Sequence, residues 1–247
     1  MKRRVEESKE EASDTDLLKI PVTETSNELT NELDSVSAVG FVRILQQCDS
    51  QIFNGWRHLP SLYDSELLSE MEVSLCFLSL NQHMVKRTVE MLTDVEHQHA
   101  IVLSGCGTSG RIAYLVARNF NEILTAMGRM SHSGSPFMAV AGKPARFRYL
   151  VSGGDPALLL SDELPEDDPL TGARELEAMA KDQHSVMFVG ITCGLSAPYV
   201  AGQLDFCMNL GERDRRSTTV LMGFNPVGLA RDVAIELWGK RTFRQVS

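Results

Sequence analysis

The chain has no uninterrupted apolar run of the roughly 18–20 residues that a membrane-crossing helix needs. It is also short of positive charge: 24 Lys and Arg stand against 33 Asp and Glu in 247 residues, a net charge of −9. That balance argues against a surface that coats nucleic acid, which needs clustered Lys and Arg. Binding one small anion stays open, because a local nest of backbone N–H groups holds an anion within an acidic protein. No Cys-x-x-Cys pair occurs; Cys48, Cys76, Cys106, Cys193 and Cys207 are odd in number and scattered, as reduced thiols of a nucleocytoplasmic compartment are. No His-Glu-x-x-His occurs either, and no cluster has zinc-ligand spacing, so neither metal nor cofactor is expected. His97 and His99 read as exposed residues leading into a strand. The start, Met1 to Arg4, runs into Glu6, Glu7, Glu10 and Glu11 instead of an apolar stretch, which is unlike a signal peptide.

What is present, 43% hydrophobic and 23% charged residues, suits a globular protein of one large α/β domain or two small ones. Residues 1–20 read as a mobile polar tail, and 21–95 as an anchored N-terminal segment (21–34, extended) followed by helices. Apolar spacing predicts helices over 36–53 and about 65–93. From 96 onward strand and helix alternate: strands at 100–103, 147–151, 186–191 and 218–224, and helices at 111–127, 172–181 and 198–208. That order predicts a parallel sheet flanked by helices, a flavodoxin-like or Rossmann-like three-layer sandwich that binds ligands at the carboxyl ends of its strands.

The chemistry concentrates in loops that follow strands. Ser104-Gly-Cys-Gly-Thr-Ser-Gly-Arg111 lies between a strand and a helix. Gly105, Gly107 and Gly110 allow a tight turn and close ligand approach. Thr108 and Ser109 put hydroxyls at a helix start, where free N–H groups and the dipole favour an anion. The same stretch reads Gly-x-Gly-x-x-Gly, but no Asp or Glu occurs between Glu122 and Asp155, where a dinucleotide site wants one. A monophosphate fits better; the plain alternative is that the two hydroxyls only cap the helix. Thr192-Cys-Gly-Leu-Ser-Ala-Pro198 repeats the design, with Ser196 alternatively a simple N-cap. The acidic run 162–168 reads as a solvated loop or as a source of one carboxylate beside a sugar. Asn225 sits in a turn signal that also lines the site. Cys106 and Cys193 have no base placed to activate them.

These residues resemble a known family. The stretches 104–111, 190–209 (GITCGLSAPYVAGQLDFCMN), 223–227 (GFNPV) and 242–246 (TFRQV) look like the first sugar-isomerase (SIS) domain of the glucokinase regulatory protein family, and 21–34 (PVTETSNELTNELD) resembles its anchored N-terminal segment. N-acetylmuramic acid 6-phosphate etherases are a more distant likeness, and Gly-Leu-Ser-Ala-Pro in place of Gly-Arg-Thr-Pro favours the regulators. The resemblance implies an SIS domain over 96–247 that binds fructose 6-phosphate or fructose 1-phosphate. It also implies a full-length protein of nucleus and cytoplasm that inhibits glucokinase without being an enzyme. Thr108, Ser109 and Gly110 would hold the phosphate, with Thr192, Cys193, Gly194 and Ser196 forming the facing loop, and Glu166 falls on the family glutamate that approaches the sugar.

Departures from the family pattern are specific. Cys106 puts a side chain where the family usually has Gly, Thr192 replaces Ser, and Leu164-Pro165 replaces a flexible stretch beside Glu166. Residues 74–84 and 130–142 have no counterpart and read either as surface insertions or as artefacts such as retained intron sequence. The chain stops before the family's next strand, second SIS domain and lid, so a fragment is expected. Two other readings remain at this point: an etherase-like lyase using Glu166 as acid–base, and an SIS remnant that no longer binds.

Overall fold

A computed structural model describes residues 21–54, 72–130, 146–160, 164–214, 217–225 and 227–247. Strands β1 (His99–Gly105), β2 (Phe147–Val151), β3 (Ser185–Ile191) and β4 (Ser217–Met222) form one parallel sheet in the order β2-β1-β3-β4. Helices α1 (Ala38–Asn54), α2 (Glu72–Thr93), α3 (Gly107–Met130), α4 (Pro169–Ala180) and α5 (Pro198–Asp214) accompany it. This is the α/β architecture that alternating strand and helix signals predict.

Strand alternation distributes the core between two faces. Ile101, Leu103, Met187 and Val189 pack with Met91 of α2 and Ala113 and Ala117 of α3. Ala100, Val102, Val186 and Phe188 pack on the opposite face with Leu176 of α4 and Tyr199, Val200 and Leu204 of α5. Every residue of β1 is buried, as a central strand covered on both faces requires.

The segment after β4 completes the second face. Trp238, Phe243 and Val246 are buried in the α5 cluster. Arg241 makes two hydrogen bonds to Asp205 of α5, at 2.6 and 2.8 Å, and its guanidinium lies 4.4 Å from the Trp238 ring centre. The Gln245 side chain accepts the Thr242 N–H at 3.0 Å. The 242–246 motif is thus a packing seam.

Several expectations are corrected. Residues 21–34 are not extended but coil through the 3-10 turns Val22–Glu24, Glu28–Thr30 and Leu33–Ser35. The cause is local: Asn27 Oδ1 accepts the Leu29 N–H at 3.0 Å, and Thr30 Oγ1 donates to the Asn27 carbonyl at 2.7 Å. His99 is not exposed; it is buried in β1, bonded to Asp94 and Ser185. Helix α3 starts at Gly107, four residues before the predicted 111. Helix α4 starts at Pro169, because Asp168 caps it by accepting the Leu170 and Thr171 N–H groups. The backbone runs as one helix through 74–84, and Asp162 and Glu163 of the acidic run and the stretches 1–20 and 131–145 lie outside the described residues.

Candidate functional site

Strands β1 and β3 are neighbours with Gly105 opposite Ile191. The chain leaves β1 toward β2 on one side and leaves β3 toward β4 on the other. The crevice beyond their carboxyl ends is therefore the topological switch point, where sheets of this kind take ligands. Both hydroxyl-bearing loops open there.

In the first loop, Gly107 has φ of +49° and turns the chain from the strand directly into α3. The N–H groups of Gly107, Thr108 and Ser109 belong to the first turn, which has no helical acceptor to offer them; Gly110 N–H is the first to find one, the Cys106 carbonyl at 3.2 Å. Thr108 is exposed and Ser109 half-buried. Neither hydroxyl caps α3, since both residues lie inside its first turn. The capping reading fails, and three free amides and two hydroxyl-bearing residues share the first turn at the positive end of a 24-residue helix. Gly110 is buried below them: a Cβ there would lie 2.5 Å from Val151 Cγ2. It sets how closely α3 approaches β2.

In the second loop, Thr192 is 5% exposed, and its Oγ1 accepts the Ser196 N–H at 3.3 Å. Its carbonyl accepts the Leu195 N–H at 3.2 Å, with Leu195 at φ +53°. Cys193 is exposed, and its carbonyl takes the Phe224 N–H at 2.9 Å. Ser196 does not cap α5, since that helix begins at Pro198 and the Val200 and Ala201 N–H groups bond to the Ala197 carbonyl. Its Oγ instead lies 3.4 Å from where a Cβ on Gly194 would stand.

Glu166 comes from the turn Leu164–Asp167, between β2 and α4. Pro165 Cγ packs 3.5 Å from the Cβ position of Gly153, and Glu166 Oε1 reaches 3.3 Å from the Cβ position of Gly107. The stiffer Leu164-Pro165 pair thus leaves the glutamate over the first loop. Burial pushes the Cys106 thiol up to about 12, and Glu166 and Asp167 add to the effect. At neutral pH it is a protonated thiol, not a nucleophile.

Buried polar pairs support the loops from below. Ser104 Oγ donates to Gln203 Oε1 at 2.7 Å, and the Tyr199 hydroxyl donates to Glu175. Burial first, and then Glu175, holds the Tyr199 proton on well above the ordinary range. Three contributors at the rim have no sequence signal beyond a turn. Thr23 bonds to Asn225, and Asn225 also donates to the Gly194 carbonyl at 3.1 Å. Arg231 donates its N–H to the Leu195 carbonyl at 3.0 Å, and its guanidinium lies 4.0 Å from Asp167 and 3.5 Å from the Ser196 carbonyl.

Among the described residues no group of three or more His, Cys, Asp or Glu is arranged to hold a metal, and no helix is long and apolar enough to cross a membrane. A cavity of about 680 Å³ lies at the opposite, amino end of β3, lined by Arg174, Lys181, His184 and Phe206. It touches neither hydroxyl-bearing loop.

A family model described as the glucokinase regulatory protein N-terminal SIS domain matches residues 83–208. The glucokinase regulatory protein of Xenopus laevis is 38% identical over 232 residues, covering 92% of this chain and 33% of the relative. That of Homo sapiens is 39% identical over 228 residues, covering 92% and 32%. N-acetylmuramic acid 6-phosphate etherase 2 of Vibrio parahaemolyticus is 24% identical over 217 residues, covering 87% and 58%. The chain thus spans about a third of the length of the regulatory proteins it matches.

Proposed function

Because the chain belongs to the glucokinase regulatory protein N-terminal SIS domain family, we propose that it is the sugar-phosphate-sensing part of a regulator that binds fructose 6-phosphate or fructose 1-phosphate and inhibits glucokinase, in nucleus and cytoplasm. One observation carries the reading. The first turn of α3, with its free amides and with Thr108 and Ser109, follows β1, and the second loop, 192–196, follows the neighbouring strand β3 at the same end of the sheet. Those amides and hydroxyls surround a phosphate, while Cys193 and Gly194 close over it from the β3 side.

Glu166 sets the direction of the ligand. A carboxylate repels a phosphate dianion but accepts strongly from a hydroxyl, so the sugar lies toward Glu166 and the phosphate toward the loops. Arg231 at the rim offsets part of the acidic surroundings. Binding is the whole chemistry: the Cys106 thiol stays protonated, and the carboxylate orients a sugar.

The etherase relatives support a second reading, a lyase that cleaves a sugar–lactate ether with Glu166 as acid–base. Incubation with N-acetylmuramic acid 6-phosphate separates the two. Steady lactate release that stops in Glu166→Gln would establish the lyase. Saturable binding of fructose phosphates with no product supports the sensor. Removing one hydroxyl donor to a charged phosphate costs about 1.5–3 kcal/mol, so Ser109→Ala weakens that binding roughly 10- to 100-fold.

A further inference from the structure

Asn225 joins three separate pieces of chain. It follows β4, is buried, and uses both ends of its amide. Its Oδ1 accepts the Thr23 N–H at 3.3 Å, and its Nδ2 donates to Thr23 Oγ1 at 3.0 Å and to the Gly194 carbonyl at 3.1 Å. Thr23 lies 202 positions earlier in the chain. A hydroxyl carries one donor and two acceptor positions. Asn225 occupies an acceptor position of Thr23, which leaves the hydroxyl hydrogen for an outside acceptor. The oxygen lies 3.6 Å from where a Cβ on Gly194 would stand, beside Ser196 Oγ at 3.4 Å. Thr23 therefore stands beside Ser196 on one side of Gly194 in loop 192–196, although it belongs to the N-terminal segment.

We propose that the N-terminal segment forms a wall of the sugar-phosphate site, with Thr23, held in place by Asn225, donating its hydroxyl hydrogen to an oxygen of the bound sugar phosphate. This rests on the binding reading above and adds a residue to it. It also explains why 21–34 is anchored to the far end of the chain: the contact completes a binding surface in addition to tethering a terminus.

The test compares Thr23→Val, which keeps the shape and loses the hydroxyl, with Thr23→Ser, which keeps the hydroxyl and loses the methyl. Each full chain is titrated calorimetrically with fructose 6-phosphate and fructose 1-phosphate, and its unliganded thermal midpoint is recorded. The proposal expects about a tenfold loss of affinity in Thr23→Val for at least one ligand, and affinity within about twofold of the parent in Thr23→Ser. Unchanged affinity in Thr23→Val with a lowered midpoint would overturn it, making Thr23 a tether only. Equal losses in both variants would also overturn it, because the methyl would then matter and the hydroxyl would not. If the parent chain itself binds neither sugar phosphate, the functional reading fails and the inference falls with it, an outcome distinct from failure of the Thr23 variants alone.

Discussion

The carboxylate of Glu166 lies 3.3 Å from the point a Cβ on Gly107 would occupy. A residue of the β2–α4 connection is thereby held over the first residue of α3, and the loops of two adjacent strands become one surface. Gly107 is tied to this arrangement twice, by φ of +49° and by the carboxylate beside it. Gly107→Ala is expected to cost about 1–2 kcal/mol through the left-handed backbone and to weaken sugar-phosphate binding as the carboxylate moves. Unfolding midpoints and calorimetric affinities of the variant check both parts.

Glu166→Gln keeps the shape of the side chain and removes its charge. A hydrogen bond to a charged acceptor exceeds a neutral one by about 1 kcal/mol, so affinity should fall about fivefold. Charge repulsion with the phosphate works in the opposite direction, so a gain in affinity would place the phosphate, not the sugar, against residue 166.

Gly110→Ala tests the packing beneath the loop. The new Cβ would meet Val151 Cγ2 at 2.5 Å and the Gly105 carbonyl oxygen at 2.6 Å. Overpacking of this kind costs about 1–3 kcal/mol. A chain of this size loses about 2–4 °C in unfolding midpoint per kcal/mol, which thermal scans resolve readily.

Acid should destabilise the protein through His99. A neutral ring that donates from Nε2 to Asp94 at 2.8 Å and accepts at Nδ1 from Ser185 at 2.7 Å satisfies both partners. His97 and His184 complete the cluster, with His184 edge-on at 5.5 Å, and Arg146 adds a nearby positive charge. Burial lowers the His99 value below its ordinary 6.5. The unfolded chain therefore takes up that proton first, and stability is full above about pH 6.5 and declines as pH falls toward the native value. Asp94, held well below its ordinary 3.8 mainly by the His99 hydrogen bond, adds a further loss at lower pH. The unfolding midpoint should drop between pH 7 and pH 5, and His99→Gln should flatten that slope.

Thiol reactivity should follow exposure and charge state. Cys106, pushed up to about 12, stays protonated, whereas Cys193 is exposed. Limited alkylation at pH 8 followed by peptide mass spectrometry should label Cys193 well before Cys106. Early labelling of Cys106 would contradict its raised, protonated state.

The sheet was legible because its strands are short apolar runs that end in glycine-bearing loops. The two hydroxyl-bearing loops were legible as strand-to-helix turns for the same reason: each follows an apolar run and carries Gly with Ser or Thr. Helix starts were misjudged where a residue outside the apolar pattern does the work, as Gly107 does through its φ and Asp168 through its cap. His99 was misread because a polar residue in a central strand is tolerated only with buried partners, and Asp94 and Ser185 arrive from elsewhere in the chain. Thr23 and Arg231 left no pattern to read. Each reaches the site through contacts with residues distant in sequence, made by segments without helical or strand periodicity.

The most direct test of the account is thermal unfolding of the 247-residue chain with and without fructose 6-phosphate and fructose 1-phosphate, with glucose as control. Ligand at about 100 times its dissociation constant adds roughly 2.7 kcal/mol, a rise of several degrees for a chain of this length. The account predicts a cooperative transition that rises with at least one fructose phosphate and not with glucose. A transition indifferent to both sugar phosphates would contradict it.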